Sequence, residues 1–238
     1  MRLDKLIEQE LLTSRKEMKQ YFARKQVRID GQVEMNASRN VDSLLHHIQV
    51  GSDCLYTDHV YLLMNKPAGV VTALKDEKHT TVTQLVASVD QRETLYPVGR
   101  LDRDTEGLLL LTDNGQLGYE LLLPEKKVEK TYEVWVNGKL SEADKLAFQA
   151  GIMFHGGEIC KPAKLAILDA SDKMSHCLLS IQEGKFHQVK KMFLSRNVKV
   201  TRLRRIRMGP LSLDSQLLRG GYRQLSYPEL MKLKPYFK

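Results

Sequence analysis

The sequence predicts an α+β fold in which a small N-terminal module precedes a larger domain built on a mixed, mainly antiparallel sheet. Three patterns support this prediction. A helix-capping motif and a tight-turn motif lie within the first 35 residues, a continuous apolar run at 108–111 is typical of a buried strand, and apolar residues alternate over 131–136. The chain has 238 residues, of which 42% are hydrophobic. This is ample for a core and fits one or two domains.

The first 55 residues contain the elements of the small module. Ser14-Arg-Lys-Glu17 is a capping box, which predicts that a helix begins at about Arg15. Two short apolar segments flank Asp30-Gly31, a dipeptide typical of a hairpin turn. The polar stretch 51–59 predicts a linker, so the domains are assigned to residues 1–55 and 56–238. Such a small module is marginal alone, which favours docking on RNA or on the larger domain.

The elements of the larger domain follow from periodicity and from turn residues. The run 108–111 is bounded by Gly107 and by Asp113-Asn114-Gly115, so it predicts an interior strand covered on both faces. Residues 65–69 predict a turn, in which Lys66 is either structural or in contact with RNA. Alternation over 131–136 places Tyr132 on the apolar face of a strand. Helices are expected at 83–89, 141–150 and 186–195.

The charge distribution favours a polyanionic partner. The chain carries a net charge of +8, which fits nucleic acid or an anionic membrane surface. No acidic residue lies between Glu183 and Asp214, and the cations in this stretch cannot all pair within it, so we expect them to meet an external anion such as an RNA backbone. A solvated basic face is the alternative. The cations are Lys185, Lys190, Lys191, Arg196, Lys199, Arg202, Arg204, Arg205 and Arg207.

Several classes of protein do not fit the sequence. No apolar run is long enough for a membrane span and the N-terminus lacks a signal-peptide pattern, so a cytoplasmic location is expected. Three widely spaced cysteines and seven histidines without ligand spacing predict neither disulfides nor a metal site. A Walker loop and a dinucleotide fingerprint are both missing, so no nucleotide cofactor is expected.

The segment 98–107 concentrates charge immediately before the predicted interior strand. Asp102 lies between Arg100 and Arg103, with Asp104 and Glu106 close behind. Such a run is either a solvated turn with mutual ion pairs or a catalytic carboxylate with charge partners. The residues alone leave both interpretations open.

Four blocks in order resemble the bacterial pseudouridine synthases of the RsuA/RluB/RluE/RluF type, and they lie nearest to the RsuA branch. The N-terminal residues resemble the RNA-binding domain named after the fourth small-subunit ribosomal protein, with Lys25 where a glycine commonly ends the second helix. The catalytic blocks are Asn65-Lys-Pro-Ala-Gly-Val70, Gly99-Arg-Leu-Asp-Arg-Asp-Thr-Glu-Gly107, Lys130-Thr-Tyr-Glu-Val134 and Glu183-Gly-Lys-Phe-His-Gln-Val-Lys-Lys-Met192.

The resemblance implies conversion of a uridine to pseudouridine without a cofactor. Asp102 is then the essential acid, acting as nucleophile or as base, and Lys190 is its cationic partner. Tyr132 is the active-site aromatic residue, Arg100 occupies the space of the extruded base, and Ile181 forms an apolar wall. The residues expected to contact RNA are Arg2, Lys5, Ser14, Arg15, Lys19, Lys25, Lys185, His187, Lys191, Arg204 and Arg205.

The expected substrate is one uridine of 16S rRNA, acted on by a monomer. Two alternatives remain. One is the same reaction on 23S rRNA, and the other is a non-catalytic factor that binds rRNA during ribosome assembly. A carboxylate in the path of an anionic ligand argues against a pure binder, because it serves binding poorly.

Overall fold

The computed structural model describes residues 1–237, and its strands form two sheets. The smaller sheet belongs to the N-terminal segment and has the strand order β2-β1-β3-β4. Its elements are α1 (Leu3–Glu10), α2 (Arg15–Ala23), β1 (Val27–Ile29), β2 (Gln32–Val33), β3 (Ile48–Val50) and β4 (Asp53–Leu55). Strand β4 occupies part of the stretch that was expected to be a linker, so the prediction for those three residues is wrong.

Local sequence signals in this segment act as expected. The Ser14 side chain accepts from the backbone N–H of Glu17 and the Glu17 side chain accepts from that of Ser14, which starts α2 at Arg15. Asp30 and Gly31 have φ of 51° and 81°. Because positive φ at both positions is what a two-residue hairpin turn of type I′ requires, this dipeptide fixes the register of β1 against β2.

The larger sheet has nine strands. Strands β7 and β11 pair in parallel, and every other strand pair of this sheet is antiparallel. The mixed, mainly antiparallel sheet predicted from the sequence is confirmed. Its path is β13-β5-β7-β11-β8-β10-β9, with β6 added to β7 and β12 to β11. The strands are β5 (Tyr61–Lys66), β6 (Tyr96–Pro97), β7 (Glu106–Thr112), β8 (Lys130–Val136), β9 (Lys164–Ala170), β10 (Ser175–Ile181), β11 (Val200–Met208), β12 (Leu211–Ser212) and β13 (Tyr222–Gln224).

Strand β7 is the buried centre of this sheet, as predicted. All of its residues are buried, and successive side chains point to opposite faces. Leu109 and Leu111 pack into one hydrophobic core, while Leu108 and Leu110 pack into a second core on the other face.

Gly107 permits the close approach of β7 to β11. Its φ is +103°, and a Cβ atom here would lie 2.2 Å from the carbonyl oxygen of Arg205. A residue with a side chain therefore cannot occupy this position without moving one of the two strands.

Four helices cover the sheet or its edges: α3 (Gly115–Leu122), α4 (Glu142–Ala150), α5 (Gln188–Leu194) and α6 (Tyr227–Leu233). The helices expected at 141–150 and 186–195 are confirmed with slightly shorter bounds. The helix expected at 83–89 is wrong, because only a 3₁₀ turn at Thr83–Leu85 forms. Val86 is extended, and the N–H of Ala87 donates to the hydroxyl of Tyr222 instead of a helical carbonyl.

The N-terminal segment packs on the larger domain. Asp42 accepts hydrogen bonds from the hydroxyl of Tyr61 and from the side chain of Asn114, and Leu45 belongs to the second core of the large sheet. Lys234 also lies 2.8 Å from Asp30. No helix within residues 1–237 has both the length and the apolar character needed to cross a membrane.

Candidate active site

The loop 98–105, which joins β6 to β7, carries Asp102. The N–H of Thr105 donates to the carbonyl of Asp102 at 3.0 Å, which closes the loop into a turn. The hydroxyl of Thr72 donates to the carbonyl of Leu101 at 2.8 Å and accepts from its N–H. These contacts hold the backbone of the loop on both sides of Asp102.

Lys66, the last residue of β5, supports this loop from below. Its side chain is fully buried, and its Nζ donates to the carbonyls of Asp102 (3.2 Å), Arg103 (3.2 Å), Thr105 (2.8 Å) and Pro67 (3.0 Å). Burial lowers the pKa of Lys66 to about 8, even though three nearby carboxylates oppose the shift. Of the two interpretations of Lys66, the structural one is right and an RNA contact is wrong.

The carboxylate of Asp102 faces two basic side chains. Its Oδ2 lies 2.9 Å from Nζ of Lys190, and its Oδ1 lies 3.6 Å from Nε2 of His187. Nζ of Lys190 also lies 2.6 Å from Oδ1 of Asp104. Burial acts to lower the pKa of Lys190, but hydrogen bonds to Asp104 and Asp102 outweigh it, so the pKa is raised. Lys190 is therefore an ammonium shared by two carboxylates.

The segment before α5 sets the direction of these basic groups. His187 has a left-handed backbone with φ of 53°, which is uncommon for a residue with a side chain. The buried side chain of Gln188 accepts from the N–H of Lys185 and donates to Glu183 at 2.6 Å. This clamp fixes the loop that presents His187 to Asp102.

A cavity of about 80 Å³ lies beside Asp102 and opens into a groove of about 870 Å³. The cavity is several times larger than one water molecule needs. Tyr132 and Ile181 are buried residues of the neighbouring strands β8 and β10, and both line the cavity. Arg100 and Lys190 also line it. The structure thus brings together all five residues that were expected to form the catalytic pocket.

The cations between Glu183 and Asp214 are less free to bind an external anion than the sequence predicted. Carboxylates from distant elements pair with five of its nine cations, so the inference that these need an external anion is wrong. The pairs are Lys185–Glu158, Lys190–Asp102, Arg196–Asp144, Arg202–Glu106 and Arg204–Glu133.

Two of the expected RNA contacts in this stretch are placed differently from the prediction. Arg205 is only 2% exposed and its Nε donates to the carbonyl of Leu108, so it lies in the floor of the groove rather than facing outward. Arg204 pairs with Glu133 of β8, the residue next to Tyr132. Because successive residues of a strand point to opposite faces, Arg204 lies on the sheet face away from Tyr132 and the cavity. Lys185 and His187 line the groove, and Lys191 is on α5 beside it.

The expected RNA contacts of the N-terminal segment do not line the cavity or the groove. Arg2 and Lys5 form ion pairs with Asp4 and Glu8 of α1, and the Ser14 hydroxyl caps α2. Within residues 1–237, no acidic partner lies within ion-pair distance of three exposed cations, which are Arg15, Lys19 and Lys25. Lys25 has φ of 55°, the left-handed conformation that a glycine adopts easily.

The sequence prediction did not include three parts of this site: the carbonyl contacts of the buried Lys66, the second carboxylate Asp104 on Lys190, and the exposed ring of Phe186. A signal existed for Lys66, because this lysine closely follows the apolar run 61–64 and a buried charge must find partners. No local signal identifies the other two.

The Asp102 carboxylate and its Lys190 partner lie beside a cavity, and basic side chains line the adjoining groove. This arrangement is typical of an enzyme active site that accepts an anionic substrate. Residues 60–195 match the family model described as RNA pseudouridylate synthase, and the chain belongs to this family. The resemblance inferred from the four sequence blocks is confirmed. The assignment of the N-terminal segment to an RNA-binding domain stays a prediction.

Several relatives match over nearly their whole length. An uncharacterised RNA pseudouridine synthase of Bacillus subtilis is 41% identical over 97% of both chains. Ribosomal small subunit pseudouridine synthase A of Vibrio cholerae is 36% identical over 98% of this chain and 99% of the relative, and that of Escherichia coli is 34% identical over 97% and 98%. A crystal structure of a pseudouridylate synthase is 34% identical, covers 98% of this chain and 99% of its own, and has a TM-score of 0.69.

Proposed function

We propose that this protein converts one uridine of 16S rRNA to pseudouridine and that Asp102 carries the reaction. The observation that carries the proposal is the Asp102 carboxylate, held 2.9 Å from Lys190 at the mouth of a cavity that Tyr132 and Ile181 line. The two relatives named as small-subunit enzymes support 16S rRNA over 23S rRNA.

The reaction balances without an external reactant. The bond between C1′ of the ribose and N1 of uracil breaks, the base turns, and C1′ bonds to C5. The proton on C5 is lost and N1 gains one, so mass and oxidation state are unchanged. Asp102 starts this sequence either by attacking the sugar or by removing a proton, and the groove gives the RNA strand access to it.

The other cavity residues have complementary roles in this proposal. Lys190 holds the carboxylate in place with a charge-assisted hydrogen bond, which is stronger than a neutral one. The ring of Tyr132 stacks on the extruded uracil and Ile181 packs against its edge. Arg100, which is exposed at the cavity mouth, takes the space that the base leaves in the RNA.

RNA capture is assigned to two surfaces. Residues 1–55 bind RNA through the exposed cations Arg15, Lys19 and Lys25, whereas Arg2 and Lys5 can contact RNA only by giving up part of their ion pairs with Asp4 and Glu8. Lys185, His187 and Lys191 contact the strand beside the groove. In this proposal the protein acts as a cytoplasmic monomer without metal or nucleotide cofactor.

The test is primer extension on carbodiimide-treated rRNA from cells with and without the gene. We expect one pseudouridine stop in 16S rRNA that disappears on deletion and returns with the wild-type gene but not with Asp102→Asn. A stop lost from 23S rRNA would instead support the second substrate. An unchanged pattern in both rRNAs would support the non-catalytic binding factor.

A further inference from the structure

Phe186 is an exposed aromatic residue beside the candidate active site. It is 68% exposed and lines the groove that leads to Asp102. Exposure alone is common among the apolar residues of this chain, but the place of Phe186 on the wall of this groove puts its ring where a nucleobase of bound RNA can cover it.

The ring of Phe186 is held in a fixed arrangement. It stacks on the ring of His187 with centroids 3.8 Å apart and planes within 22° of each other. His187 is in turn fixed by its left-handed backbone and by its approach of 3.6 Å to Asp102. The two rings therefore form a stack that begins at the proposed catalytic carboxylate and ends at the exposed ring of Phe186.

The separation of these two rings is an ordinary aromatic stacking distance. The ring centroids of Phe186 and His187 lie 3.8 Å apart, and a nucleobase can stack on an exposed aromatic ring in the same way. Phe186 lines the same groove as Asp102 and His187, so the nucleotides that flank a uridine bound at Asp102 lie in a groove where an unpaired base can meet the Phe186 ring. A paired base cannot, because A-form duplex does not expose base faces.

A cation completes the surface. Nζ of Lys191 lies 5.2 Å from the centroid of the Phe186 ring and 5.5 Å from that of Phe154. This cation–π contact places a positive charge beside the Phe186 ring, and the flexible lysine side chain can turn toward the phosphate of a nucleotide that stacks there.

We propose that Phe186, backed by His187 and flanked by Lys191, is a stacking platform for an unpaired nucleobase next to the target uridine. The inference rests on the proposed function, because it supposes that the groove holds RNA. The platform tolerates any base, since every base has an aromatic face, and it selects single-stranded or looped RNA over duplex.

The first test is equilibrium binding of an unstructured uridine-rich RNA that carries one 2-aminopurine, read by the fluorescence change of that base on stacking. We expect Phe186→Ala to raise Kd about 5- to 150-fold and to abolish the fluorescence change, while Phe186→Trp retains both. Tyr227→Ala is the matched control, because Tyr227 is also 68% exposed but lies outside the groove. Equal Kd and equal fluorescence change for Phe186→Ala and wild type would overturn the proposal.

The second test uses RNA spanning the uridine mapped by primer extension, with an abasic residue placed at each flanking position in turn. At one position the loss of the base should weaken binding to wild type but not to Phe186→Ala. The slope of log K against log salt should be the same for both proteins, because stacking releases no counterions. Additive effects at every position would refute the platform even if the wild-type enzyme forms pseudouridine normally, which separates this result from a failure of the proposed function.

Discussion

Lys66→Met tests the support of the catalytic loop, because it keeps the length of the side chain and removes its charge. The pKa of Lys66 falls from its usual 10.5 to about 8 through burial. The unfolded chain therefore binds more protons than the folded chain between these two pH values, and the free energy of unfolding rises with pH across that window. At about 1.36 kcal/mol for each pH unit of that window, the free energy of unfolding gains roughly 3 kcal/mol.

The assay is urea unfolding of the wild type and of Lys66→Met at pH 7 and pH 10. Other groups titrate in both proteins, so the difference between the two curves isolates Lys66. We expect the wild type to gain roughly 3 kcal/mol more than the variant between these pH values. Lys173→Met is the control, since the Lys173 side chain is exposed and its replacement removes no buried charge.

The same variant should also lose activity at pH 7. Without the ammonium, the carbonyls of Pro67 and Thr105 lose the hydrogen bonds that Lys66 gives them. The loop can then shift, which should lower kcat while RNA affinity stays within a few-fold. If the unfolding curves of wild type and Lys66→Met respond equally to pH, and kcat is unchanged, then Lys66 neither carries a buried charge nor holds the loop.

Three further experiments test the ion pair, the sheet and RNA capture. Lys190→Met should lower kcat about 30- to 150-fold, which corresponds to a loss of about 2–3 kcal/mol for a partly exposed pair. Lys190→Arg should keep most of the activity. Equal single-turnover rates for the two variants would make Lys190 a simple phosphate ligand. Gly107→Ala should lower the melting temperature by forcing β7 from β11, whereas a melting temperature equal to wild type would show that the strands adjust freely. The double variant Arg15→Gln, Lys19→Gln should raise KM and reduce the slope of log K against log salt by about 0.7–0.9 for each phosphate that is no longer neutralised. An unchanged slope in filter binding would exclude this helix from the RNA interface.

Local signals in the sequence predicted the local features of this fold. The Asp30-Gly31 turn, the Ser14 cap and the apolar run of β7 each depend on neighbouring residues, and each forms as expected. The helix at 83–89 failed because β-branched residues weaken helix propensity there and a distant hydroxyl, that of Tyr222, takes a backbone N–H.

Pairing across long sequence distances accounts for the other differences. Arg202 meets Glu106 from a strand 96 residues earlier, so the apparent excess of cations in its own segment overstated the charge left for RNA. Docking of the N-terminal segment on the larger domain was one of two expectations, but the residues that make the contact were not predicted: Asp42 joins Tyr61 and Asn114 in one buried hydrogen-bonded group. Removal of residues 1–55 would take Asp42 away from those two side chains, so point substitutions test this segment better than truncation.

The most direct test of the central claim is tritium release from 5-tritiated uridine RNA by the wild type, Asp102→Asn and Asp104→Asn. Both carboxylates lie on one loop and both contact Lys190, but the Asp104 side chain is 70% exposed and does not line the cavity. We expect Asp102→Asn to release no tritium while binding RNA within a few-fold of wild type, and Asp104→Asn to keep most of the activity. Near-normal release by Asp102→Asn would contradict the account, because the reaction would then not depend on this carboxylate.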